Sequence, residues 1–84
     1  MSKMTDKEVI MSKQYTADDV YKVMQEFIHS IVWNGVRFDI YSFNEDDLWL
    51  TNETTELYTT HEKIAQALNN GDTVEFYRLE RVEI

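Results

Sequence analysis

The chain has 84 residues, no cysteine and a formal net charge of −8 at pH 7. Its length fits a single domain, and the lack of cysteine excludes disulfides and thiolate metal sites. Its 43% apolar content argues against a disordered chain. No apolar run approaches the roughly 20 residues that span a bilayer, and the first residues do not have the pattern of a secretory signal. We therefore expect a cytoplasmic globular domain.

The negative charge is unevenly distributed along the chain. Between Arg37 and Lys63 there is no lysine or arginine, whereas the rest of the chain is almost neutral. A region of this kind repels nucleic-acid phosphate and attracts basic surfaces. Seven acidic residues lie in this interval: Asp39, Glu45, Asp46, Asp47, Glu53, Glu56 and Glu62.

Residues 1–14 show no clean helical or strand periodicity, so we predict a flexible or loosely docked N-terminal arm followed by one domain over residues 15–84. The first helix of that domain should begin at Thr16, which forms a capping box with Asp19. Apolar residues then recur at helical spacing, and Gly35 is suited to the position that follows a helix. The predicted apolar stripe comprises Val20, Val23, Met24, Phe27, Ile28, Ile31 and Val32.

Two strands joined by an acidic turn are predicted next. The segment "VRFDIYSF" (36–43) alternates, with one face carrying Val36, Phe38 and Ile40. The other face would carry Arg37, Asp39, Tyr41 and Phe43. The residues "NEDD" (44–47) have the composition of a turn. The segment "LWLT" (48–51) predicts a second strand, with Leu48 and Leu50 on one face and Trp49 on the other.

The second half of the chain predicts a helix between strands. The segment "TELY" (55–58) predicts a short strand that the fold can include or lack. Thr59 and Glu62 have capping-box spacing, which predicts a helix that ends at Asn70 and Gly71. The last segment (73–84) alternates as a strand with a bulge or bend near Arg78. The predicted fold is a small two-layer α+β domain of order α-β-β-(β)-α-β, with two helices on one face of a mostly antiparallel sheet of three to four strands.

Signatures of catalysis and of metal or cofactor binding are weak. The "NEDD" turn lacks the central glycine and most ligands of a calcium loop. Glu26 and His29 have the spacing of half a di-metal motif, but the second half is absent from the sequence. With two glycines in the chain there is no phosphate-cradling loop. We therefore expect no enzymatic activity, no metal site and no cofactor.

The second face of the hairpin is the most informative feature. If helices cover the opposite face, aromatic rings remain beside acidic groups, which is typical of an interface. Two alternatives place these rings against the N-terminal arm, through Val9 to Met11, or against a second copy of the chain. The predicted partner-binding residues are Asp39, Tyr41, Phe43, Glu45, Asp46, Asp47, Trp49, Glu53 and Glu56.

In general type, though not in any motif, the chain resembles small acidic inhibitors made by bacteriophages, some of which mimic DNA. That resemblance implies a non-catalytic protein that occupies the basic, nucleic-acid-binding surface of another protein, with its carboxylates in place of phosphates. We expect no direct binding to nucleic acid or to membranes. The alternative is a homodimeric or accessory assembly module whose acidity serves solubility.

Overall fold

The computed structural model describes residues 14–84, and it forms a six-stranded antiparallel sheet with two helices. The predicted arm, and the prediction that it covers the rings, lie outside the described residues except for Gln14. In chain order the elements are α1 (Ala17–Met24), β1 (Ser30–Trp33), β2 (Val36–Phe43), β3 (Asp47–Thr51), β4 (Glu56–Thr60), α2 (His61–Asn69), β5 (Val74–Tyr77) and β6 (Arg81–Val82). The spatial order of the strands is β4-β3-β2-β1-β5-β6.

The α+β class is confirmed, but the sheet has six strands rather than three or four. Helix α1 begins as predicted, with both halves of the Thr16 and Asp19 capping box present. It ends at Met24 and not before Gly35, because Ser30–Trp33 pairs on both sides as an inner strand of the sheet. Ile31 and Val32 therefore lie in β1, where β-branched residues pack well.

Asn34 and Gly35 form a two-residue hairpin turn and not the end of a helix. Trp33 is paired with Val36, and both turn residues have positive φ, at 50° and 84°. Positive φ at both central positions is the requirement of a type I′ turn, for which Asn-Gly is a preferred sequence. The predicted bend near Arg78 is likewise a full reversal, since Tyr77 pairs with Arg81 across the β5–β6 turn.

The hydrophobic core draws on both helices and on alternate strand positions. Val20 and Met24 of α1 and Ile64 of α2 are each at most 1% exposed. From the sheet, Ile31 pairs with Phe38 on one side and with Phe76 on the other, and all three are buried. Helix α2 starts one residue later than predicted, because Thr60 is its N-cap and Thr59 is buried in β4. Its predicted end at Asn70 and Gly71 is confirmed.

Phe27, in the turn between α1 and β1, has a φ of 62° and a side chain that is 82% exposed. The left-handed region is unfavourable for a bulky residue, whereas glycine adopts it freely. We expect Phe27→Gly to raise the free energy of unfolding by about 0.5–1 kcal/mol, measured as a higher urea midpoint. The matched control is Gln25→Gly, where φ is −73° and glycine should be destabilising. Loss of stability in the Phe27 variant would contradict the expected relief of strain.

Candidate interaction surface

Three aromatic side chains from neighbouring strands form a continuous row of ring contacts on the sheet, which we call the aromatic stack, although one of its two contacts is tilted. Trp49 of β3 is directly opposite Tyr58 of β4, and their ring centroids are 5.0 Å apart. Tyr41 of β2 lies on the other side of Trp49, at 4.2 Å. By strand alternation Trp49 projects from the sheet face opposite to buried Leu48 and Leu50. We call the face that carries Tyr41, Trp49 and Tyr58 the aromatic face.

Most of this stack is accessible to a partner. Tyr41 and Tyr58 are each 65% exposed, and Trp49 is half-buried between them. The indole N–H of Trp49 is shielded from solvent and has no hydrogen-bond partner in the described part of the chain. A buried donor without an acceptor costs about 1–3 kcal/mol. Exposed aromatic rings of this kind commonly anchor protein interfaces.

Phe43 does not belong to the aromatic face, which corrects the sequence-based assignment. A β-bulge interrupts β2, because Ile40 pairs with Leu50 while Ser42 pairs with Trp49. Tyr41 is the extra residue, and a bulge of one residue reverses the faces of the residues that follow it. Phe43 therefore lies against Tyr21 and His61, with ring centroids 6.4 Å and 6.3 Å away.

The predicted acidic residues are all exposed, but they form two groups and not one cluster. Glu45, Asp46 and Asp47 lie at the β2–β3 turn, at one end of β3. At the other end Thr51 pairs with both Asp39 and Glu56, and Glu53 lies in the following turn. Four residues of strand separate the two ends, which is about 13 Å. The aromatic stack occupies the space between the two acidic groups.

Each acidic turn is held by an asparagine side chain. The Oδ1 atom of Asn44 accepts hydrogen bonds from the backbone N–H groups of Asp46 and Asp47, at 2.9 Å and 2.8 Å. Asn52 Oδ1 does the same for Thr54 and Thr55, both at 2.9 Å. The asparagine therefore supplies the turn's internal bonds, and the neighbouring carboxylates remain available to other molecules.

The described residues contain no group of three or more histidine, aspartate or glutamate side chains placed to hold a metal ion. Glu26 and His29 follow the end of α1, so their helical spacing does not apply, and Glu26 lies 3.9 Å from Arg78 in an ion pair. Within residues 14–84 neither helix is long and apolar enough to cross a membrane.

His61 is a buried polar residue, and the sequence did not predict its burial. It is 1% exposed, and its backbone N–H and its ring Nδ1 both lie 3.0 Å from the carbonyl oxygen of Asp46. The ring packs edge-on against Tyr21 at 5.2 Å. Burial lowers the pKa of His61 below its usual value, although hydrogen bonds and negative charge from the acidic turn oppose the shift. His61 thus fastens the Glu45–Asp47 turn to the start of α2.

A shallow cleft of about 450 Å³ lies along the aromatic face. Desolvation, and then the hydrogen bond and charge of Glu56, raise the pKa of the Tyr58 phenol at its border. The phenol donates to Glu56 Oε1 at 3.2 Å. Rings, hydroxyls, one carboxylate and one ammonium group therefore surround a groove that a partner's side chain can enter. Its lining includes Ser42, Asn44, Asp47, Trp49, Tyr58, Thr60 and Lys63, together with Phe43 from the opposite face of the sheet.

Comparison of the chain with protein-family models, with curated protein sequences and with solved structures found no match.

Proposed function

We propose that this protein is a non-catalytic binding protein whose aromatic face docks on the basic surface of another protein. The observation that carries the proposal is the exposed stack of Tyr41, Trp49 and Tyr58 between two groups of carboxylates. Aromatic rings that lose water on binding slow dissociation, and clustered charge of one sign speeds encounter with the opposite sign.

The favoured partner is a protein that binds nucleic acid, which this chain would inhibit as a DNA mimic. Two acidic groups on either side of the rings would meet lysine and arginine side chains that otherwise contact phosphates. Arg37 lies 3.9 Å from Asp39, but both side chains are exposed. A surface ion pair of this kind is weak and screened by salt.

The test is capture of partner proteins from the cells in which the chain is made, followed by elution with increasing salt. We expect retention at about 50 mM salt, substantial release by about 200 mM, and competition by double-stranded DNA. Retention that does not depend on salt, or that DNA fails to reduce, would contradict the proposed mimicry.

Matched charge variants locate the surface. The triple variant Glu45→Gln, Asp46→Asn, Asp47→Asn keeps side-chain shape and should elute at lower salt than the wild type. The control Asp18→Asn, Glu80→Gln, Glu83→Gln removes the same charge from exposed residues outside the two acidic groups, and it should elute close to the wild type. Equal effects of the two triples would show that net charge, and not the acidic turn, governs retention.

A further inference from the structure

The two edges of the sheet differ in their capacity to pair with another strand. β6 has two residues, and Arg81 on it contacts Glu75 and Glu83 at 3.6 Å each. β4 has five residues, pairs regularly with β3 along its whole length, and contains no lysine, arginine, proline or bulge. Short length and edge charges prevent unwanted pairing. β6 has both protections, whereas β4 is longer and has one charged side chain, Glu56.

Within residues 14–84, the hydrogen-bond pattern shows which backbone groups of β4 are not bonded to β3. The His61 N–H bonds the Asp46 carbonyl and the Asn52 N–H bonds the Thr55 carbonyl, each at 3.0 Å, just beyond the two ends of the β3–β4 ladder. In an antiparallel ladder bonded and non-bonded pairs alternate. The pair formed by Trp49 and Tyr58 is therefore non-bonded, and the N–H and C=O of Tyr58 point away from β3.

Tyr58 is also the central residue of β4, which makes the edge self-complementary. A two-fold axis at Tyr58 would place the two Tyr58 residues opposite each other, exchanging two backbone hydrogen bonds. In the same register Glu56 of each copy lies opposite Thr60 of the other, so no like charges are paired. The two Tyr58 rings, on the same face, would join the aromatic stacks of both copies.

Charge supports the same register. Within residues 14–84, Lys63 is the lysine or arginine side chain for which the structure shows no ion pair. Its backbone N–H bonds the Thr60 hydroxyl at 3.0 Å, and it lines the cleft beside Tyr58. A second copy would bring its Glu56 opposite Thr60 and thus next to Lys63. Within one copy Glu56 and Thr60 are about 13 Å apart along the strand.

We propose that the β4 edge is a homodimer interface, in which two copies pair antiparallel about Tyr58 to form one continuous twelve-stranded sheet. The occupant of the edge is therefore a second copy of this chain. The dimer does not depend on the partner proposed above, because its backbone hydrogen bonds come from the β4 edge, although the Tyr58 ring and the Glu56 carboxylate belong to both surfaces. Dimerisation would double the aromatic face and place two acidic surfaces side by side.

Sedimentation of the full chain over a wide concentration range tests the dimer. We expect a concentration-dependent dimer in which amide exchange at Tyr58 slows as the dimer forms. Tyr58→Lys should weaken dimerisation by at least about tenfold, because two lysines would lie directly opposite each other. The matched control is Tyr41→Lys, since Tyr41 is also 65% exposed and also contacts Trp49, but lies away from the edge. A monomer at all concentrations would overturn the proposal, and so would equal effects of the two variants.

A second test swaps the charges of Lys63 and Glu56, and it does not require the tyrosine variants to fold. Lys63→Glu and Glu56→Lys should each weaken the dimer by roughly 2- to 30-fold, because each contact occurs twice in a symmetric pair. The double variant should return to within about threefold of the wild type. Rescue requires contact between copies. Additive weakening in the double variant would show that β4 does not pair in this register, whether the chain then remains monomeric or pairs with a strand of another protein.

Discussion

Phe76→Ala is expected to lower the free energy of unfolding by about 3–5 kcal/mol. Phe76 lies on β5 between Ile31 of β1 and Val82 of β6, and it is 1% exposed. Its removal leaves a cavity beneath an inner part of the sheet, which the neighbouring strands cannot fill without losing their register. A domain of this length has a total stability near the low end of 5–15 kcal/mol, so a large fraction of the variant should be unfolded at 37 °C.

Urea unfolding followed by tryptophan fluorescence measures this loss, and Phe27→Ala provides the same chemical change at an exposed position. Phe27 is 82% exposed, so its truncation should change stability by less than about 0.5 kcal/mol. Comparable losses in the two variants would show that β5 does not form the core described above.

The sequence predicted elements whose local signals and tertiary packing agree. β2 has the predicted bounds of Val36 to Phe43, and the Thr16 cap is present because its hydrogen bonds are local. β1 was missed because Ile28 and Ile31 fit the helical period of α1 as well as they fit a strand. The Asn34-Gly35 pair was the signal that could have resolved the ambiguity, since it favours a tight hairpin between two apolar runs.

The candidate interaction surface was predicted in composition more than in geometry. Alternation correctly separates Trp49 from Leu48 and Leu50, and Tyr41 lies beside Trp49 as expected. It fails at Phe43, because no residue in "DIYSF" distinguishes a bulge from a regular strand. The acidic residues lie in one interval of the sequence, but the antiparallel β3 places its two flanking turns at opposite ends of the strand.

Stability should fall as the pH is lowered from about 7 towards 5, because the pKa of His61 is lowered by burial. Below about pH 6.5 the imidazole of His61 binds a proton in the unfolded chain but not yet in the folded protein. The free energy of unfolding therefore decreases until the pH reaches the lower pKa of folded His61, below which His61 causes no further change. Stabilisation by the neutral imidazole is fully present above about pH 6.5.

Urea midpoints measured at intervals between pH 7.5 and pH 5 test the role of His61. His61→Gln should be less stable than the wild type at pH 7.5, since the packing against Tyr21 is lost, but its pH dependence should be much flatter. His29→Gln is the control, because His29 is exposed, and it should keep the slope of the wild type. If the slope persists in the His61 variant and disappears in the His29 variant, the imidazole that links the acidic turn to α2 is not the group that titrates.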